Sequence, residues 1–168
     1  SIKPLVRSNK NFVYKEKKYP FDFELIIKNS NYFYRNRDDF LLITDIEIPS
    51  SVFNLTESSI HAFISCCENL SFEINKSDIF SLHQLAIKYE VPELLKITTE
   101  YINQNNNNLI FESILFKIQS QNQDDQNQFK NSIQKEEKYI SSHFFELVNN
   151  ERMLDLPISV LYRILNDY

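Results

Sequence analysis

The sequence predicts an α+β protein whose first hundred residues alternate short strands with helices and whose remaining residues form helices only. Three observations support this prediction. Residues 12–15 and 19–21 are aromatic and β-branched runs that flank a charged turn, which is typical of a β-hairpin. Charged and apolar residues alternate at the end of residues 40–48, as in a strand with one buried face. From residue 77 onwards, apolar residues recur every three or four positions, which indicates helices.

The predicted hairpin leads into a first helix. Asp22 is a suitable N-cap, because its carboxylate can accept a hydrogen bond from a free backbone N–H of the first turn. Asn29 is predicted to end this helix. A third strand is then predicted over residues 40–48, and Pro49 ends it. The apolar face of the helix consists of Phe23, Leu25, Ile26 and Ile27.

The next segment is predicted to form a helix, a short strand and two further helices. Thr56 begins the first of these helices, and residues 70–74 form the strand. Ser77 caps the second helix, and Pro92 takes the favoured first position of the third. The core-facing positions of the three helices are Ile60, Phe63, Ile64 and Cys67, then Ile79, Leu82, Leu85, Ala86 and Tyr89, then Leu94, Leu95, Thr98, Tyr101 and Ile102.

A polar break over residues 103–108 precedes a purely helical part. Residues 109–118 are predicted to form a helix with apolar residues on more than one face. Residues 119–131 are rich in Gln, Asn and Asp, which predicts a solvated loop or a polar helical extension. A helix resumes at Ser132, and Pro157 leads into the final helix. The predicted apolar faces of these two helices are Tyr139, Ile140, His143, Phe144, Leu147 and Val148, and Leu161, Ile164 and Leu165.

Glycine is absent from all 168 residues, although average usage would supply about twelve. Phosphate-binding loops, dinucleotide-binding fingerprints, nucleophile elbows and EF-hand loops need glycine where the backbone takes positive φ or approaches a ligand closely. The composition therefore excludes these motifs. Asparagine tolerates the left-handed region next best, so we expect it to replace glycine at Asn29, Asn69, Asn75, Asn103, Asn149 and Asn150.

Charge is unevenly distributed along the chain. Residues 1–37 carry nine Lys/Arg and three Asp/Glu, and the remaining residues carry nine and twenty. The nine basic residues are scattered rather than clustered, so nucleic acid is not an expected ligand. No apolar run reaches the roughly 18 residues of a membrane span, and the N-terminus lacks a signal-peptide pattern. We therefore expect an intracellular protein in which the adjacent Cys66 and Cys67 are ordinary reduced thiols.

The sequence predicts no chemical site. His61, His83 and His143 lie on predicted helices, where we expect them to be exposed or packing residues. The histidines and cysteines lack the short recurring spacings of metal ligands, so neither a metal nor another cofactor is expected. The pairs Asp124-Asp125 and Glu136-Glu137 lie in polar sequence and are predicted to be solvated charges. Because no base, nucleophile and orienting group come together, the chain is expected not to be an enzyme.

Four elements follow one another in an order known from one family. They are the hairpin with Tyr-Pro-Phe at residues 19–21, Ser-Asn-Tyr-Phe at residues 30–33, a helix and short strand at residues 60–74, and a helical pair at residues 77–102. In this order and spacing the segment resembles a BTB/POZ domain. The resemblance implies a small sheet with surrounding helices. It also implies contact with a second copy of the domain or with a cullin-type ubiquitin-ligase scaffold.

The C-terminal residues carry a second pattern. Residues 140–145 read Ile-Ser-Ser-His-Phe-Phe, residues 154–157 read Leu-Asp-Leu-Pro, and residues 161–165 read Leu-Tyr-Arg-Ile-Leu. This order of a helix, a Leu-containing turn and a helix that ends in a Leu pair is similar to the BACK region that follows many BTB domains. The resemblance implies an all-α extension of the first domain.

Three regions are therefore predicted. Residues 1–10 form an arm, residues 11–104 a BTB/POZ domain, and residues 109–168 a partial BACK-like helical region with a polar loop over about 119–131. The resemblance implies a protein-interaction adaptor or scaffold, and one version of this hypothesis has it recruit substrates to a cullin-type ubiquitin ligase. The alternative hypothesis is a structural component of a large intracellular assembly.

Five residues are candidate contacts for a protein partner. Leu55 and Glu57 form a hydrophobic-x-Glu triplet, near the position where cullin-binding members of the family carry theirs. Ile110, Phe111 and Phe116 lie on a helix that is apolar on several faces, which indicates burial on both sides or contact with a partner. The expected partners are proteins: a second copy through the BTB/POZ domain, or a cullin. Neither nucleic acid nor a membrane is expected.

Overall fold

The computed structural model describes residues 9–52, 54–120 and 126–168. It contains both strands and helices, so the predicted α+β class is confirmed. The chain divides into two compact units, of which the first ends at Gln104 and the second begins at Asn105. The described strands all lie in the first unit, whereas the described elements of the second unit are helical.

A β-hairpin opens the described chain. β1 (Asn9–Tyr14) pairs antiparallel with β2 (Lys17–Asp22), which confirms the predicted hairpin. Lys15 and Glu16 form the two-residue turn with φ angles of 49° and 66°. Turns of this kind usually take Asn and Gly, because other residues strain the backbone at positive φ. The first strand starts inside the predicted arm, and residues 1–8 of that arm lie outside the described residues.

Two short helices follow, each with a side-chain cap. α1 (Phe23–Asn29) is capped by the Asp22 carboxylate, which accepts a hydrogen bond from the backbone of the first turn. The predicted cap and the predicted end of this helix are confirmed. α2 (Asn31–Arg35) is capped by Ser30, whose hydroxyl also donates a hydrogen bond to the carbonyl of Tyr89. Ser30 therefore joins the start of α2 to a residue 59 positions further along the chain.

A third strand completes the sheet. β3 (Asp45–Glu47) pairs parallel with β1, and the strand order is β2-β1-β3. Ile46 is buried between two exposed carboxylates, which confirms the predicted alternation. The strand predicted over residues 40–48 is wrong in its first half, because Arg37–Phe40 is a 3₁₀ turn and residues 41–44 continue as a turn and loop.

Three longer helices complete the first unit. They are α3 (Glu57–Cys67), α4 (Ile79–Lys88) and α5 (Pro92–Gln104). Thr56 caps α3 as predicted, in a reciprocal capping box with Ser59. The predicted helix start at proline 92 is also confirmed.

Two predictions in this segment are wrong. Residues 70–74 are irregular rather than a strand. The residue that precedes α4 is Asp78 rather than Ser77. The Asp78 carboxylate accepts hydrogen bonds from the hydroxyls of Thr56, at 2.7 Å, and Ser58. It therefore links the starts of α3 and α4 instead of capping its own helix.

The first unit encloses an aromatic core. The ring of Phe33 stacks on Tyr89 with centroids 5.0 Å apart, and Phe12 stacks on Phe21 at 4.3 Å. Each large apolar side chain buried in this way contributes about 1.5–3 kcal/mol to folding. Fully buried core residues come from the sheet and from all five helices: Phe12, Ile26, Phe33, Ile60, Phe63, Cys67, Leu82, Leu85, Ala86 and Leu94.

The described elements of the second unit are α-helices and 3₁₀ turns. The α-helices are α6 (Ile110–Ser120), α7 (Gln126–Ser142), α8 (Phe144–Leu147) and α9 (Ile158–Asn166), and the 3₁₀ turns are Asn106–Leu109 and Glu151–Asp155. The structure places the start of α7 six residues before the predicted Ser132, so residues 126–131 of the predicted polar loop are helical. Residues 121–125 lie outside the described residues. A mainly aliphatic core includes Ile110, Ile114, Ile133, Ile140, Val160 and Ile164.

Asparagine replaces glycine less often than predicted. Of the six asparagines expected at positive φ, all of which are described, only Asn69 adopts it, with φ of 58°. Asn54 and Glu90 also have positive φ. Asn29 instead donates a side-chain hydrogen bond to the carbonyl of Cys67 at 2.6 Å. Its role is thus to join the end of α1 to the end of α3.

Candidate interaction surface

Residues 40–43 form a β-turn, here named the apolar turn, that places two leucine side chains in solvent. The N–H of Ile43 donates to the carbonyl of Phe40 at 3.2 Å, and Leu41 and Leu42 occupy the two central positions. Leu41 is 70% exposed and Leu42 98%. Such positions usually carry Gly, Pro, Asn, Asp or Ser. Because large exposed apolar groups gain free energy when another surface covers them, the apolar turn is a candidate contact surface.

Acidic residues flank the apolar turn along the chain. Asp38 and Asp39 precede it and are exposed, and Asp45 follows it in β3. Asp45 forms an ion pair with Lys18 at 2.7 Å. Hydrogen bonds from Lys18 and then from Asn11 hold the pKa of Asp45 below its ordinary value. The exposed Asp38 and Asp39 favour a partner that has basic residues beside its apolar site.

The hydrophobic-x-Glu triplet is divided between core and surface. Leu55 is buried in the first core, and Thr56 caps α3. Glu57 is exposed, forms an ion pair with Lys17, and accepts a hydrogen bond from the Tyr19 hydroxyl at 3.4 Å. The hydrogen bond from Lys17 is the main reason that the pKa of Glu57 lies below its ordinary value. Of the two candidate contacts, Glu57 has an accessible side chain and Leu55 does not.

The three candidate contacts on α6 are also divided. Ile110 and Phe111 are buried in the second core, and Phe116 is half-buried. The helix packs against α7. The sequence indicates two alternatives for this helix, burial within the chain or contact with a partner. Burial within the unit explains the apolar character of Ile110 and Phe111. Their side chains are not available to a partner in this conformation.

A second exposed apolar surface lies on α9. Ile158, Tyr162 and Leu165 follow one another at four- and three-residue spacing, so they share one face, here named the α9 stripe. They are 86%, 65% and 60% exposed. The prediction that Leu165 faces the core is wrong, because the fully buried Val160 and the nearly fully buried Ile164 supply the inward face. The two apolar faces were visible in the sequence spacing, but the spacing does not say which one is covered.

Two adjacent carboxylates predicted to be solvated are buried. Glu137 is fully buried and accepts hydrogen bonds from Nε of Arg163 at 2.9 Å and from the hydroxyl of Tyr168 at 2.8 Å. Glu136 is also buried and forms an ion pair with Lys117. The prediction is wrong because the polarity of neighbours in sequence does not reveal cations supplied by other helices. The pairs join α7 to α6 and α9.

Each histidine lies against a neighbouring side chain. Nδ1 of His83 lies 2.9 Å from the hydroxyl of Thr98, and burial lowers the pKa of this histidine. The ring of His143 stacks on Tyr139 with centroids 4.1 Å apart. His61 makes an edge contact with a tyrosine ring at 5.5 Å. These contacts are typical of packing residues.

Both cysteines are free and buried. Burial raises the pKa of the Cys66 thiol to about 11 and also raises that of Cys67. Within the part of the chain that the structure describes, no three His, Cys, Asp or Glu side chains are grouped so as to hold a metal ion. The Asp124-Asp125 pair lies outside that part.

The chain matches no model of a known protein family, and no curated protein matches it significantly. None of the described helices combines the length and apolar character needed to cross a membrane. The resemblance of the two segments to BTB/POZ and BACK regions therefore stays a prediction.

Proposed function

We propose that the chain is a protein-interaction adaptor or scaffold and that the apolar turn is a contact site for its partner. The exposure of Leu42, at 98%, is the observation that carries this proposal. A leucine that is covered on binding contributes about 1.5–3 kcal/mol. Interfaces concentrate their binding energy in a few such side chains. The proposed role is binding, and it includes no catalytic residue or cofactor.

The order of the described elements supports a BTB/POZ-like first unit. The hairpin, the helix after Ser30, α3 and the α4–α5 pair occur in the order that the resemblance implies. The irregular residues 70–74 depart from it. The helices α7 and α9 likewise occur in the order expected of a BACK-like region. On this proposal the chain joins two protein partners. If the chain is part of a cullin-type ubiquitin ligase, one of the two partners is a cullin.

The ligase version is tested by pull-down of the full chain with a cullin N-terminal region at micromolar concentration. We expect the wild-type chain to be retained and a Leu41→Ser/Leu42→Ser variant to lose at least about tenfold in affinity, the equivalent of one buried leucine. Leu70→Ser is the matched control, because Leu70 is also exposed in the first unit but lies outside the apolar turn. Absence of wild-type retention removes the ligase version. Equal retention of the double variant removes the turn from the contact.

The alternative function, a structural component of a large assembly, is favoured by the α9 stripe. Phe145 and Leu154 add further exposed apolar surface to the second unit. Size-exclusion chromatography with light scattering separates the two functions. A monomer, or a dimer formed through the first unit, fits an adaptor. Concentration-dependent aggregation that an Ile158→Ser/Leu165→Ser variant suppresses fits an obligate component.

A further inference from the structure

Lys10 is a buried lysine whose side chain contacts both ends of the apolar turn. It lies on β1 and is only 7% exposed. Its Nζ donates hydrogen bonds to the carbonyl of Phe40, at 2.6 Å, and to the carbonyl of Ile43. These are the first and last carbonyls of the turn. One ammonium group therefore bridges the two residues between which Leu41 and Leu42 project.

The position of Lys10 is costly for the protein. Transfer of an ammonium group out of water is unfavourable unless the group is well paired, and burial lowers the pKa of Lys10. The partners that the structure gives it are neutral: the two carbonyls and the ring of Phe23, whose centroid lies 4.9 Å from Nζ. An apolar residue at this point of the strand would pack without that cost. The benefit of the charge must therefore lie in the groups that it contacts.

We propose that Lys10 is the positioning residue of the apolar turn, where it holds the Phe40 and Ile43 carbonyls so that Leu41 and Leu42 stay projected towards a partner. The part of this inference that concerns the partner rests on the proposed function. The part that concerns order in the turn does not. A turn that is ordered before binding loses less conformational entropy when the partner covers it.

Hydrogen exchange on the full chain tests the positioning role. Lys10→Met keeps the length of the side chain and removes both donors. We expect the amide of Ile43, which closes the turn, to exchange at least about tenfold faster than in the wild type, because its exchange reports local opening. Lys10→Arg can donate to both carbonyls and should stay within about twofold of the wild type.

A merely structural role gives a different result. It predicts that Lys10→Met lowers the midpoint of thermal unfolding and speeds exchange throughout α3 as well as at Ile43. The positioning role predicts an unchanged or higher midpoint, because a buried charge has been removed, with faster exchange confined to the turn. Lys10→Gln, which is too short to bridge both carbonyls, gives a second measurement with the same expected pattern. Wild-type exchange at Ile43 in both variants overturns the inference.

Binding to the cullin N-terminal region separates this inference from the proposed function. If the wild-type chain does not bind, the proposed contact fails and the exchange result still stands. A second outcome is that the Leu41→Ser/Leu42→Ser variant loses binding, whereas Lys10→Met binds and exchanges as the wild type does. In that case the proposed contact stands and only the positioning role of Lys10 fails. We expect Lys10→Met to bind at least about threefold more weakly, since its turn must be ordered on binding.

Discussion

The two units bury polar side chains in different ways. In the first unit, Lys10, Ser30 and Asp78 have carbonyls and hydroxyls as partners around an aromatic core. In the second unit, Glu136 and Glu137 have cationic partners beside a mainly aliphatic core. A buried carboxylate that loses its cation keeps its full desolvation cost. The first unit should therefore be most sensitive to lost volume, and the second to lost charge.

The largest effect is expected from Phe33→Ala. Phe33 is fully buried and stacks on Tyr89, so the variant should lose about 3–5 kcal/mol of unfolding free energy in the first unit. Tyr34→Ala is the control, because removal of an exposed ring should lower the free energy of unfolding by less than about 0.5 kcal/mol. Urea unfolding with amide exchange read separately in α3 and α7 provides the measurement. Equal losses for the two variants would contradict the importance of packing in this core.

The next largest effect is expected from Arg163→Met. This change leaves the fully buried Glu137 without its cation. The free energy of unfolding of the second unit should therefore fall by about 3 kcal/mol. The Arg163→Met/Glu137→Leu double variant should recover most of the loss, because no charge then stays buried without a partner. Lys135→Met on the exposed face of α7 is the control. A double variant as unstable as the single one would show that the charge pair is not the cause.

Alkaline pH should destabilise the two units through different ionisable groups. The thiol of Cys66 has a pKa of about 11 in the folded chain against an ordinary 9.0, so the unfolded state releases its proton first. The Cys66 thiol therefore lowers the stability of the first unit between about pH 9 and pH 11, by up to about 2 kcal/mol. Cys67 and Tyr89, whose pKa values burial also raises, extend the loss to higher pH. Partial burial and the hydrogen bond to Glu137 raise the pKa of Tyr168 from 10.0 to about 12, so the second unit loses stability over about pH 10–12. This loss should be smaller than that of Cys66, because Tyr168 is partly exposed to solvent.

Urea unfolding at a series of pH values measures this difference. Cys66→Ser should remove the Cys66 contribution and make the stability curve of the first unit less steep between about pH 9 and pH 11. Cys67 and Tyr89 should still contribute to the loss, and the curve of the second unit should be unchanged. Identical pH dependence in wild type and Cys66→Ser would show that the folded thiol ionises as readily as the unfolded one.

The smallest effect is expected from Glu16→Gly in the hairpin turn. Glu16 has φ of 66°, and glycine adopts this conformation without strain. The free energy of unfolding of the variant should therefore rise by about 1 kcal/mol. The gain is partly offset by the greater freedom of glycine in the unfolded chain. Asn69→Gly should gain less, because asparagine already tolerates its φ of 58°. Thermal unfolding measures both, and a lower midpoint for Glu16→Gly would contradict strain at this turn.

Local signals predicted three helix starts in the first unit, whereas the predicted starts at Ser77 and Ser132 are wrong. Asp22, Thr56 and Pro92 occupy the predicted positions, because a cap or a first-turn proline depends only on residues within one helical turn. Residues 40–44 and 70–74 contain strand-forming residues but are not strands. A strand needs a hydrogen-bonding neighbour, and composition does not supply one.

The candidate contacts differ in whether their side chains reach the surface. Leu55, Ile110 and Phe111 are buried, whereas the exposed Leu41 and Leu42 fell within the predicted strand. Apolar character marks a residue that gains from being covered. It does not say whether the same chain or another chain provides the cover.

The sequence by itself determined the α+β class, the hairpin and the capped helices, because these depend on periodicity and on contacts between near neighbours. Only the tertiary structure decided that Glu136 and Glu137 are buried, that Lys10 bridges residues 40 and 43, and that the apolar turn is exposed. For Lys10 and for the two carboxylates, the deciding partner lies 19 or more positions away in the chain. Side-chain burial and pairing over such separations follow from packing, and no local pattern encodes them.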